Sequence, residues 1–158
     1  MKNLSQLIKR TVKFFKLPRD KQRLLFEAFI LSGIGRFAIL FLPFNKLAAF
    51  AGKYREESHE RLSDIEEATI DKIVWAVAVA SRYTPWESKC FVQALTGQIM
   101  LRRRKISSTL YLGVAKDKEK KPIAHAWLRS GSIIVTGRYG YNSFTQVAKF
   151  ANNLRGRK

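Results

Sequence analysis

The hydrophobic period of this chain changes once, at Ile106-Ser107-Ser108, and that change sets its class of fold. Before it, apolar residues recur at helical spacing; after it, they alternate. Residues 109–115, 123–129 and 132–136 read as three strands of an antiparallel meander. Asp117-Lys118-Glu119-Lys120 and Ser130-Gly131 supply the turns between them. Residues 144–154 predict a short helix or a strand-helix ending. The expected architecture is α+β: helices first, then a small antiparallel sheet packed on the last helix. With 158 residues the chain is long enough for one compact domain and too short for two ordinary ones. Within it, residues 1–55 form an N-terminal helical segment packed on a core of residues 56–158.

The helical half divides into four parts. Residues 2–16 predict a basic amphipathic helix, with Leu4, Ile8, Val12 and Phe15 on one side and Lys2, Lys9, Lys13 and Lys16 elsewhere. Residues 24–50 are the most apolar stretch, and Arg36 is the sole charge between Glu27 and Lys46. A charge like Arg36 costs about 2.5–3.5 kcal/mol at a bilayer centre. Gly33, Gly35 and Pro43 interrupt the run, so two short core helices are expected here in place of a membrane span. Ser63-Asp64-Ile65-Glu66 is a capping box opening a helix to about Arg82. The last helix of this half starts near Cys90 and ends at Arg102-Arg103-Arg104-Lys105, cations that suit the negative end of a helix dipole. His59, among Glu56, Glu57 and Glu60, reads as exposed and incidental.

Chemistry concentrates on two residues. Cys90 is the only cysteine, which excludes an internal disulfide and the cysteine-rich zinc sites. Two distant histidines add too few ligands for a metal, and no cofactor is expected. A thiol at a helix start is favoured as thiolate by the dipole and by free N–H groups. His125, in a strand, is the partner needed to take its proton. Its small neighbours Ala124 and Ala126 leave room around the ring.

The run Arg82-Tyr83-Thr84-Pro85-Trp86, then Cys90, Gln93-Ala94-Leu95 and Leu101-Arg102-Arg103-Arg104 carries a resemblance. Leu110-Tyr111-Leu112-Gly113-Val114 and Ala124-His125-Ala126-Trp127 continue it in order and spacing. Over residues 24–136 the chain resembles the lasso-peptide leader peptidases. These are transglutaminase-like cysteine proteases of ribosomal peptide biosynthesis, here in the small stand-alone form without a leader-recognition domain. The resemblance implies a transglutaminase-like, papain-like fold, with Cys90 attacking the leader–core junction of a precursor peptide and His125 shuttling the proton. It implies as partners the precursor's leader, a separate leader-recognition protein and the ATP-dependent macrolactam cyclase that uses the freed amine. In that family an aspartate on the next strand usually orients the histidine. This chain has no Asp or Glu after Glu119. Ser132, Thr136 and Asn142 are the nearby candidates for that position, Asp64, Asp71 or Asp117 would serve only if the fold brought them in, and the backbone N–H of Cys90 is a generic oxyanion donor. Trp86 and Trp127 are core residues by default and candidates for a substrate groove.

Two further readings stand beside this one. The net charge is +18, and from residue 88 onward Asp117 and Glu119 are the only acids. A basic module for nucleic acid or an anionic membrane, with an incidental thiol, would use that field. Nucleic acid is the weaker partner, because no recognised motif and no aromatic–basic interleaving is present. Acyl transfer to an amine on the same fold is the third reading, running through the same thioester. No signal-peptide pattern is seen, so a cytoplasmic location is expected, with membrane association as its variant.

Overall fold

The computed structural model describes residues 14–58 and 61–153. Most of the predicted N-terminal helix, residues 2–13, and His59 lie outside the described residues. Helix α1 spans Arg19–Phe41, and α2 spans Phe44–Ala51. The chain breaks at Pro43, as expected, since proline removes an N–H and disfavours helix in the residue before it. Two helices are present over this stretch, as read, but the first is not short: it does not break at Gly33 or Gly35, a correction to the reading of those glycines as interruptions. Both are contact points inside one 23-residue helix. A Cβ on Gly33 would lie 3.0 Å from the Trp86 ring, and one on Gly35 would touch Val92.

After the two-residue strand β1, Lys53–Tyr54, helix α3 runs over Asp64–Tyr83. The capping box is formed: Glu66 N–H donates to Ser63 Oγ, and Ser63 N–H donates to a Glu66 carboxylate oxygen. Pro85 ends this helix by holding Thr84 extended. Helix α4, Cys90–Arg103, follows, then strands β2, Ser108–Lys116, β3, Pro122–Ser130, and β4, Ile133–Thr136. A 3₁₀ turn over Tyr141–Ser143 leads into β5, Thr145–Asn152. Residues 145–152 are thus a strand, where the sequence left a helix open. Residues 145–147 are exposed and only Phe150 and Ala151 are buried, so the strand carries little apolar alternation to read.

The sheet order is β1-β5-β2-β3-β4, all antiparallel. One face, carrying Leu110, Ala126, Leu128, Val135 and Phe150, shares a buried cluster with Leu24, Ala28, Leu31, Ile70, Ile73, Leu95 and Leu101 of the helices. Gly97 is where α4 meets the sheet, since a Cβ there would come within 2.9 Å of Leu128 Cδ2. The architecture is the α+β one read from the periodicity.

Candidate active site

Cys90 is the first residue of α4, partly exposed and packed at the margin of the central cluster. No side chain caps this helix end. Its first N–H groups therefore remain free for a ligand, with the positive end of the dipole beside the sulfur. The segment before it is tied down. Trp86 Nε1 donates to Ser32 Oγ at 3.2 Å, Gln93 Nε2 donates to Ser88 O at 2.8 Å, and Glu87 bridges Lys89 and Arg36. The carboxylate of Glu87 is held below its ordinary pKa, chiefly by the Lys89 hydrogen bond. Lys89 is thereby engaged with Glu87 rather than offered to the thiol.

His125 lies at the middle of β3, opposite Gly113 of β2. Strict alternation in this register turns His125, Trp127 and Arg129 to the face away from α4, and Ala124, Ala126 and Leu128 towards it. The two alanines therefore do not make room for the ring, a correction to the sequence reading. On that face Gly113 makes room for Trp127 and Phe144, the two residues whose rings flank the imidazole, because a Cβ there would lie 2.8 Å from the Trp127 ring and 2.9 Å from Phe144. The imidazole sits 5.0 Å from the Phe144 ring and 6.1 Å from Trp127, and Trp127 stacks on Tyr111 at 5.4 Å.

The ring is held by an atom that sequence reasoning missed. His125 Nε2 lies 2.9 Å from the carbonyl oxygen of Gly137, the residue following β4. A carbonyl only accepts, so Nε2 carries the proton and Nδ1 of the neutral ring is left as the base. Ser132 and Asn142 are exposed and make no bond to the ring. Thr136 faces α4, its methyl near Gly97 and its hydroxyl buried without a partner. The only signal for Gly137 was a glycine one position after a strand, at φ +74°. A main-chain acceptor has no side-chain identity to read.

Cys90 and His125 sit on elements that pack together, α4 and β3, but the ring lies on the face of β3 turned away from α4, so the structure does not bring the predicted pair together. Beside them, β3 is paired with β4 only from Leu128 onward. Its outer edge over residues 122–126 therefore carries no strand among the described residues. Trp86 packs against Phe29 at 4.9 Å and latches the loop to α1, while Trp127 is nearly buried beneath Tyr141. The basic cluster after Leu101 is used internally. Arg104 forms a two-pronged bond to Glu27 at 2.6 and 3.2 Å, Arg103 approaches the same carboxylate, and Arg102 donates to Phe50 O.

A second polar cluster braces the same face as the histidine. Glu57 accepts from Tyr111 Oη at 3.1 Å and from Lys149 Nζ at 3.0 Å, and Arg129 Nε donates to Tyr111 Oη. The Lys149 bond is the main cause holding the Glu57 carboxyl below its ordinary pKa, with burial opposing it. Burial pushes the Tyr111 phenol up.

Compared with known families, residues 37–149 match the model described as transglutaminase-like superfamily. No curated protein and no solved structure matches the chain.

Proposed function

Because this chain belongs to the transglutaminase-like superfamily, a fold of cysteine peptidases and acyltransferases, we propose that it is a cysteine peptidase acting on the leader of a ribosomally made precursor peptide. The observation that carries the reading is Cys90 as the uncapped first residue of α4 in a chain of this family.

The steps follow from the atoms available. Nδ1 of His125 takes the thiol proton while Gly137 O holds Nε2–H, and Sγ of Cys90 adds to the scissile carbonyl. The free N–H groups at the start of α4 receive the developing oxyanion. Collapse of the tetrahedral adduct breaks the C–N bond. The imidazolium protonates the leaving amine, which is the N-terminus of the core peptide. Water, deprotonated by the same Nδ1, then cleaves the thioester and releases the leader acid. In this structure the ring faces away from α4, so the proposed transfer requires peptide binding to shift β3 and bring Nδ1 of His125 to the Cys90 thiol. The unpaired edge of β3 beside His125 suits an extended chain, whose main-chain groups would add to it as a strand. The leader-recognition protein would deliver that chain, and the ATP-dependent macrolactam cyclase would take the freed amine.

The competing nucleic-acid reading loses part of its local feature, since Arg104 is bound to Glu27 and Arg102 donates to Phe50 O, which leaves Arg103 the most exposed of the three. The test is reconstituted cleavage of the precursor with its leader-binding protein, followed by mass spectrometry. Wild type should release free leader acid, while Cys90→Ala should release none and His125→Ala should be slower by on the order of 10²–10⁴. An uncut precursor, or equal cleavage by Cys90→Ala, sinks the proposal. Leader joined to an added amine would identify an acyltransferase instead.

A further inference from the structure

The least expected surface of this molecule is the outside of α1. Its inner side, Leu24, Ala28, Leu31, Ser32 and Gly35, is buried against α3 and α4. Phe26, Ile30, Ile34, Phe37, Leu40 and Phe41 follow one another at steps of one to four residues along the other side, and are 44–66 % exposed. A helix lying on a domain in water normally turns polar residues outward; this one is apolar on both sides. The stripe continues past Pro43 to Phe44 and Phe50. Such a continuous exposed apolar surface marks a contact with something apolar.

We propose that this face docks the protein on an anionic lipid bilayer, with α1 lying in the plane of the interface. Charge identifies the occupant. Arg23 and Arg103 line one groove with Phe26, Ile30 and Ile34, and Arg102 lies over the Phe50 ring at 4.4 Å. Between residues 21 and 55 Glu27 is the only acid, and Arg103 and Arg104 already occupy its carboxylate. The apolar stripe therefore has a cationic rim, and the acids on α1, Glu27 and Asp20, are both ion-paired, Asp20 with Lys72, the combination that suits acidic headgroups above an acyl layer. A second copy of the chain is a poor occupant, since each copy carries +18 and the two repel. A bilayer also needs no shape match to a convex helix.

Among the described residues α1 is the one helix long and apolar enough to cross a membrane. It does not do so here. The Glu27–Arg104 pair, Gly33 against Trp86 and Gly35 against Val92 hold its inner side to the domain along its length. A spanning pose would strip all of these contacts. The proposal does not rest on the peptidase reading and stands or falls separately.

The experiment is flotation of the full chain with unilamellar vesicles of phosphatidylcholine alone or with about a third phosphatidylglycerol. The variants are wild type, Phe37→Gln/Phe41→Gln and Arg23→Gln/Arg103→Gln. All these side chains are exposed, so folding is retained, and circular dichroism checks it. Wild type should float with the anionic vesicles and much less with the neutral ones. The Phe pair should weaken binding by on the order of tenfold or more, and the Arg pair several-fold in a salt-dependent way. Binding by the Phe pair equal to wild type would mean attachment through diffuse charge alone and overturns the proposal. Equal binding to both vesicle types overturns its anionic part. No binding by wild type overturns it altogether and leaves the stripe to a protein partner or to another segment of this chain.

Discussion

Gly137 concentrates the argument about the candidate site, and replacing it with alanine tests that argument quantitatively. The residue sits at φ +74°, a region that costs an L-residue about 1–2 kcal/mol. Space adds a second penalty. A Cβ at this position would fall 2.4 Å from Ala126 O, 2.8 Å from Trp127 Cβ and 2.9 Å from Trp127 Cα, atoms of the neighbouring strand that cannot swing aside. Such overpacking costs roughly 1–3 kcal/mol, so Gly137→Ala should lose about 2–5 kcal/mol in all. Gly140→Ala separates the two contributions. Gly140 has nearly the same φ, +77°, but nothing within 4 Å of the added carbon, so only the conformational part applies. Urea denaturation of wild type and both variants measures the difference. The chain can relieve the overlap only by moving the peptide that carries Gly137 O, which releases His125 Nε2. Cleavage should therefore fall in Gly137→Ala even under conditions where it is fully folded, while Gly140→Ala keeps wild-type turnover. If Gly137→Ala matches Gly140→Ala in stability and in kcat/KM, Gly137 does not hold the histidine and the account of the site is wrong.

Two further outcomes follow from the polar clusters. Arg104→Met removes the two-pronged partner of the largely buried Glu27 and leaves the more exposed Arg103 in its place. It should cost about 1.5–3 kcal/mol in urea denaturation, and Glu27→Gln/Arg104→Met should recover part of that loss. Glu57, whose carboxyl is held below its ordinary pKa by Lys149, contributes stability that is present at and above the usual glutamate pKa and is lost as the pH falls through its lower folded value. Wild type should therefore exceed Glu57→Gln in urea midpoint at neutral pH, with the gap closing only in the acid range. A gap unchanged down to the acid limit would show that the carboxylate charge is not what ties residues 56–58 to the sheet.

The local rules carried far in this chain because they depend on neighbours in sequence. The change of period at Ile106–Ser108, the capping box at Ser63 and Glu66, the stop at Pro85 and the thiol at the start of α4 are each set within a few residues by backbone sterics and capping bonds. Those signals sufficed for the α+β class. What failed was whatever depends on a partner distant in sequence. Gly33 and Gly35 look like breakers, yet close packing against Trp86 and Val92 more than offsets their poor helix propensity. The arginines after Leu101 look like a free cationic patch until Glu27, more than seventy positions earlier, is brought alongside. The face of β3 that carries His125 is settled by strand pairing, because a one-residue change of register would turn every side chain over. The acceptor for its Nε2–H is a peptide carbonyl, and every residue has one. Only tertiary structure, by bringing the end of β4 to the middle of β3, decided which carbonyl that would be.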